Sequence, residues 1–499
     1  MLNFKIMKKS FQQIILNGAV LFLILTGCTS DFEEINSNPN EPIMVETSQL
    51  LTSAIKSAKE TLFSQETSSI LYAQFWAETD YTDASTYSSP ESSFYKFYNG
   101  PLADLQSIIN YNSDEETKSE VLKSGSNANQ LAVARIMKAW VFLNVTDTWG
   151  DVPYSEALQG RNNSSPKYDN QADIYTDIIK ELKEASAQIA LDELAVKGDI
   201  LYNGDMIKWR KFANSLLLRI GMRLSNVSPQ EGKELVIKAL TDGIFESNED
   251  NALYKHLDDE NNANGHYINF IRRQDYAISN TMISYMSAGT QSSTYDPRIE
   301  KYAKPAESPQ YNNGINLYIN NIGGMPYGVS TEVATALPNT YSSFPGDAVK
   351  SKTSPTIFMS YPELLFIKAE AIQRNWIDGD AEQTMKEAIN ASMDFWEIPN
   401  NLAIAYIEGI NFDSNEALKT IITQKWIALY MQGVTAWSDW RRTAYPVLTP
   451  GPYTQATNEI PRRRAYTSEE YTLNGVNVRE AIERQGPDNF ETRMWWDKQ

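Results

Sequence analysis

Apolar residues recur at helical spacing along this chain, in segments with marked ends that follow one another across very short links. That pattern restricts the fold more than any other feature. Ser48 precedes Leu51, Ile55, Ala58 and Leu62, a stripe that suits one buried helix face. Val133, Ile136, Trp140 and Leu143 form a second stripe. Ser228-Pro229-Gln230-Glu231 has the spacing of a capping box with proline at the first helical position, and Gly243 suits a left-handed end. Ser360-Tyr361-Pro362-Glu363 repeats the box, with Met359 and Leu364 at the positions of a hydrophobic staple and Ile367 and Ala371 continuing the face.

These signals predict helices near 48–79, 130–146, 170–190, 205–225, 229–242, 361–376, 380–396 and 414–432. Links as short as Val227-Ser228 and Ile377-Asp378-Gly379 turn neighbours antiparallel, and successive hairpins of this kind build a tetratricopeptide-like solenoid. The repeat is degenerate, with Thr384 where a packing alanine is expected, so periodicity alone also admits a simple helical bundle. The expected class is mainly α, a solenoid-like scaffold of helical hairpins with long loop-rich insertions that build a ligand face. Those insertions lie near 245–357 and 445–499, dense in Asn, Tyr, Gly, Pro and Ser.

The N-terminus predicts an address. Lys5, Lys8 and Lys9 precede an apolar run, Ile14 to Leu25, too short to span a bilayer. The run ends in Leu25-Thr26-Gly27-Cys28, the bacterial lipobox pattern, and Cys28 is the only cysteine of the chain. Residues 1–27 therefore read as a lipoprotein signal peptide and Cys28 as the lipidated residue. Residues 28–47 read as a flexible tether, rich in Asn and Pro, and 48–499 as the folded body. The acidic run Asp31-Phe32-Glu33-Glu34 resembles the signal that sends lipoproteins of Bacteroidetes to the outer face of the outer membrane.

Charge narrows the partners. The net charge is −19, and residues 1–27 contribute three Lys and no acid, so the mature body would carry −22. Such a field opposes nucleic acid and anionic lipid headgroups and leaves neutral or cationic ligands open. Without disulfides, burial has to stabilise the fold outside the cell.

Several runs together resemble the SusD/RagB-like family of outer-membrane nutrient-binding lipoproteins. They are Asp31-Phe32-Glu33-Glu34-Ile35-Asn36 with Asn38-Pro39-Asn40, Trp149-Gly150-Asp151-Val152-Pro153-Tyr154-Ser155-Glu156-Ala157, Asp296-Pro297-Arg298 and Tyr361-Pro362-Glu363-Leu364-Leu365-Phe366-Ile367-Lys368-Ala369-Glu370-Ala371. Toward the C-terminus they are Gln424-Lys425-Trp426, Trp437-Ser438-Asp439-Trp440-Arg441-Arg442 and Arg493-Met494-Trp495-Trp496-Asp497. The resemblance implies a helical body, a ligand surface lined by aromatic rings, and a TonB-dependent transporter barrel as partner. The ligand passed to that barrel would be an oligosaccharide or, in some branches, a peptide.

A sugar site needs exposed rings for the CH faces and amides or carboxylates for the hydroxyls. The candidates for ligand binding are Trp76, Tyr81, Asp83 and Tyr87 after the first long helix, and Tyr295 and Tyr327 in the central loops. Each of these rings has a packing alternative, core for Trp76 and loop anchoring for Tyr295 and Tyr327. Trp437, Trp440, Arg441 and Arg442 read as a structural stack of guanidinium on indole.

An enzyme is the rival class, and the residue inventory opposes it. His256 and His266 stand near Asp258, Asp259 and Glu260 on predicted loop, without the spacing of a metal site. No nucleophile elbow, phosphate loop or dinucleotide fingerprint occurs. A carboxylate pair for glycoside hydrolysis is a three-dimensional matter, so a lipid-anchored hydrolase stays as a third reading. No cofactor is expected beyond the lipid on Cys28, and the abundant acids leave room for a structural calcium ion.

Overall fold

The computed structural model describes residues 44–287, 295–308 and 317–497, the side chain of Glu66 excepted. Cys28, the signal peptide and nearly all of the tether lie outside the described residues. The chain divides into Met1–Val45 and Glu46–Gln499, and the second unit is the folded body. Among the described residues no helix is long and apolar enough to cross a membrane.

The eight expected helices are present. α1 is Thr47–Tyr72, α2 Ala103–Ser113, α3 Asn127–Trp149, α4 Gln171–Gln188, α5 Met206–Arg223 and α6 Pro229–Asp242. After a loop-rich middle containing the short helix α7, Gly265–Arg272, come α8 at Tyr361–Gln373, α9 at Ala381–Phe395, α10 at Ala417–Ala428 and α11 at Gly433–Thr443. Neighbours pack as hairpins, α3 on α4, α5 on α6 and α8 on α9, in a tetratricopeptide-like arrangement. Within the α5–α6 pair Gly221 and Gly232 face each other. A Cβ on Gly232 would lie 2.5 Å from the Gly221 carbonyl oxygen, so only glycine permits this approach.

Side-chain caps set several helix starts. Ser126 accepts from Asn129 N, Asn170 from Ala172 N, Asp205 from Ile207 N and Lys208 N, and Asp380 from Gln383 N. The two expected capping boxes do not cap. Ser228 Oγ bonds the Glu231 carboxylate at 3.1 Å, and Ser360 makes no cap bond. Glu363 instead accepts both nitrogens of the buried Arg219 guanidinium at 2.7 Å. A forked charge-assisted pair outweighs one hydrogen bond to a helix N–H. α1 likewise begins before Ser48, with the Thr47 hydroxyl bound to buried Gln130.

α1 stops at Tyr72 instead of running to 79, the largest departure from the periodicity. Gln74 has a left-handed φ of 58°, and its side chain donates to Thr449 O at 2.7 Å and accepts from Thr281 Oγ1 at 2.9 Å. Beyond it, strand β1 (Trp76–Glu78) pairs antiparallel with a segment of the central insertion, Tyr276–Ile278. Every residue from Ser69 to Thr79 is buried, so the helical stripe loses its contrast there and backbone pairing decides the structure. Three further two-stranded antiparallel pairs tie down the loops.

Two apolar clusters form the core. One gathers the first half of α1 with α3 to α6, and the other gathers residues 70–77, the central insertion and α8 to α11. Buried ion pairs join helices within them: Arg442 forks onto Glu370 at 2.6 and 2.7 Å, Lys425 meets Asp439 at 2.6 Å, and Arg223 meets Asp147 at 3.0 Å. Arg441 lies on Trp437 with 3.6 Å from guanidinium carbon to ring centroid, as the stacking expectation requires. Arg442 leaves that stack for Glu370, and Trp440 receives Arg462 at 4.9 Å instead.

Candidate functional site

β1 and its partner strand end side by side, and the pairing continues one step past them, with Thr79 N donating to Asp275 O at 2.8 Å and Thr79 Oγ1 to Gln274 O at 2.6 Å. The chain then turns through Asp80–Tyr87. Asp80 Oδ1 accepts from Tyr81 N at 2.8 Å, which holds Tyr81 at a left-handed φ of 51° and turns its ring outward, 59% exposed. The Arg273 guanidinium sits 4.6 Å from that ring's centroid and is itself oriented by Asp275, 3.0 Å from its Nε. Beside this pair opens a depression of about 410 Å³. Its walls are Thr79, Asp80 and Arg273–Asp275 on one side and Thr335, Leu337, Pro338 and Asn339 on the other.

The loop that presents Tyr81 is fixed from below. Glu78 is 5% exposed, and its carboxylate accepts from Ser85 N at 2.8 Å and Ser85 Oγ at 2.7 Å. Burial pushes its pKa up to about 7, and no cation is among the main causes of the shift. Thr82 Oγ1 lies 3.1 Å from Thr331 Oγ1, which joins this loop to the 330s wall. From the C-terminal region, Gln455 N and Ala456 N donate to Thr86 O and Tyr87 O at 2.9 and 3.0 Å, and Tyr453 N donates to Gly328 O at 3.0 Å. Gly328, at φ 62°, and Gly451 meet backbone to backbone, with 2.6 Å from a Cβ on Gly328 to Gly451 Cα.

The six expected ligand residues separate by burial. Tyr81 and Asp83 are exposed on the same turn. Trp76 is fully buried, its indole donating to Tyr430 Oη at 2.7 Å and packing edge-on to His266 and Phe270. Tyr87 and Tyr327 are 1% and 7% exposed and lie hydroxyl to hydroxyl at 3.3 Å. These three rings present no face to a ligand, and the expectation for them is corrected: each belongs to the second core cluster. Tyr295 is half-buried and belongs to a separate knot, its hydroxyl donating to Glu300 at 2.5 Å and accepting from Asn320 at 2.8 Å. It anchors its own loop.

Sequence reasoning missed Arg273 and Asp275 in irregular chain and Asn339 at the start of a short 3-10 turn, which signal nothing until the fold gathers them. It also missed Tyr453, 51% exposed on the segment that crosses the Tyr87 loop. The histidines do not form a pair for a metal. His256 places Nδ1 3.1 Å from Asn262 O and Nε2 2.9 Å from Thr356 Oγ1, while His266 lies in α7 and not on loop. Among the described residues no group of three His, Cys, Asp or Glu side chains could hold a metal ion.

A larger cavity, about 1010 Å³, lies between α2, α3 and α4, and several of the charged groups around it engage each other. Arg135 holds Glu181 at 2.8 Å and Glu184 at 2.5 Å, and the Tyr154 hydroxyl donates to Asp177 at 2.8 Å. The smaller depression is the better candidate because its exposed ring, guanidinium and carboxylates match what a polyhydroxylated ligand requires.

Residues 39–467 match the model of the SusD-like family described as starch-binding and associating with the outer membrane. No curated protein matches the sequence. Among solved structures, a chitin-binding protein is 29% identical with a TM-score of 0.78, over 91% of this chain and 100% of that one. A SusD homologue from Bacteroides fragilis is 25% identical with a TM-score of 0.75, again over 91% and 100%. A chitin-binding SusD homologue from Flavobacterium johnsoniae, 24% identical with a TM-score of 0.72 over 90% and 96%, shares the fold.

Proposed function

The chain belongs to the SusD-like family, and on that footing we propose that it binds oligosaccharide at the outer membrane surface and passes it, chemically unchanged, to a TonB-dependent transporter. The observation that supports this most is the turn after β1, where Tyr81 is held outward against Arg273, itself part of the wall of a depression edged by Asp80, Asp275 and Asn339. A pyranose would lay its CH face on the Tyr81 ring, and its hydroxyls would reach the guanidinium, the carboxylates and the amide. Such a site selects shape and hydroxyl pattern. The chitin-binding descriptions of two similar structures make an oligosaccharide of amino sugar the first ligand to try. The lipid on Cys28 would moor the body to the membrane.

Isothermal titration of the protein against starch, chitin and hemicellulose oligosaccharides and against oligopeptides tests the reading. Saturable heat with one glycan class, with the sugar recovered intact, is the expected result. Binding of peptides alone would move the assignment to a peptide-binding member of the fold, and cleavage of the sugar would make the protein a hydrolase. Co-purification of a barrel transporter from outer membranes tests the partnership.

A further inference from the structure

A smaller depression, of about 170 Å³, adjoins the one beside Tyr81, and Asn269, Phe270, Arg272 and Tyr276 line it. Arg273 and Asp275 belong to the walls of both, so the two open on either part of a single short stretch of chain. Local structure sets this second wall. α7 ends at Arg272, where Arg273 N donates to Asn269 O at 2.9 Å, and within a few residues the chain enters the strand opposite β1. Asn269 and Arg272 are exposed on the last turn of α7, while Phe270 and Tyr276 are half-buried.

Buried Trp76 backs both rings. Tyr276 stacks on the indole with 5.8 Å between centroids and 25° between planes, and Phe270 meets it edge-on at 6.0 Å. The rings are therefore fixed before any ligand arrives, which lowers the entropy lost on binding. The polar groups beside them are unengaged. The Asn269 amide, the Arg272 guanidinium and the Tyr276 hydroxyl make no hydrogen bond or ion pair among the described residues, and none of the three is sealed from solvent. Burial pushes the Tyr276 hydroxyl up to about 12, so it keeps its proton and can donate. Such groups exchange water for a ligand oxygen without breaking a bond inside the protein.

We propose that the two depressions form one elongated site, which takes an oligosaccharide chain lying across Arg273–Tyr276. One sugar residue sits on Tyr81, and a further residue of the same chain sits against Phe270 and Tyr276, its hydroxyls bonded to Asn269, Arg272 and the Tyr276 hydroxyl. Arg273, held by Asp275 at 3.0 Å from its Nε, is common to both positions. This rests on the oligosaccharide reading above and adds a second subsite and a minimum length, because a chain too short to pass Arg273 fills one depression only.

The test is calorimetric titration of the protein with chito-, malto- and xylo-oligosaccharides, each as disaccharide, tetrasaccharide and hexasaccharide. In the series that binds, the hexasaccharide should bind about tenfold or more tightly than the disaccharide. Arg272→Ala, Asn269→Ala and Tyr276→Phe break no side-chain bond inside the protein. Each should weaken the hexasaccharide about threefold to tenfold, the loss of one hydrogen bond to the ligand, and leave the disaccharide unchanged. Tyr81→Ala should weaken every length. Equal affinity at all lengths, or three variants that bind the hexasaccharide as the wild type does, overturns the second subsite while the effect of Tyr81→Ala keeps the oligosaccharide reading standing. Absence of binding by every length of all three series overturns both.

Discussion

Glu78 gives the sharpest prediction, because a carboxyl group with no cation beside it lies beneath the loop that presents Tyr81. Its pKa stands at about 7 in the folded protein against an ordinary 4.5, through burial above all, with Asp83 adding repulsion and the two Ser85 bonds and the Ala84 backbone bond opposing. Below pH 4.5 the group is protonated whether the chain is folded or not, and it is neutral in its effect on unfolding. As pH rises above 4.5 the unfolded chain ionises first, so stability falls, and the fall levels off once pH exceeds 7 and the folded group ionises too. The interval corresponds to about 3 kcal/mol, an upper bound that local rearrangement would reduce. Glu78→Gln removes the titration while keeping a carbonyl oxygen for Ser85 N. Urea unfolding of the wild type and of Glu78→Gln across pH 5 to 9 isolates the effect, since every other titrating group cancels in the difference. The variant should gain on the wild type by about 2–3 kcal/mol between pH 5 and 8, with a plateau beyond. A difference that stays constant with pH would refute the reasoning and mean that water or a cation reaches the carboxylate.

Other outcomes follow from the structure and, for Cys28, from the sequence. Tyr81→Ala should weaken oligosaccharide binding by about 1 kcal/mol or more in calorimetry without moving the melting temperature, whereas Trp76→Ala should cost about 3–5 kcal/mol of stability in denaturant unfolding. Glu370→Ala takes the forked partner from buried Arg442, leaving it Asp439 at 3.3 Å and Ser225 at 3.1 Å, and should destabilise by about 3–5 kcal/mol in the same assay. Gly328→Ala, which places a Cβ 2.6 Å from Gly451 Cα, should increase proteolysis at the 449–456 segment with little change in helix content by circular dichroism. Cys28→Ser should shift the protein from the membrane fraction to the soluble fraction on cell fractionation.

The helical scaffold was legible because its signals are local. Stripes such as Leu51, Ile55, Ala58 and Leu62 need only a burial contrast around one helix, and turn signals such as Gly243 act within a few residues. The same locality explains the errors. At Ser69–Thr79 burial on all sides erases the contrast, and the pairing with 276–278 that decides the structure comes from about two hundred residues away. Glu363 matched a capping box in sequence but answers to Arg219, 144 residues distant. The runs that carried the family resemblance prove to be largely structural, for Glu363, Glu370, Asp439, Arg441 and Arg442 are buried in ion pairs or ring stacks. They identify the fold and say little about the ligand. Of the candidate rings, only Tyr81 stands well exposed, since richness in tyrosine does not distinguish a ring facing solvent from one fastening its loop. Arg273 and Asn339 could be found only once the strands had brought their loops together.

A structure of the protein with a bound oligosaccharide tests the central claim most directly. A sugar ring stacked on Tyr81, with hydroxyls bonded to Arg273, Asp275 or Asn339 and the glycosidic linkages intact, is the predicted result. A sugar seated away from Tyr81, or one found cleaved, would contradict it.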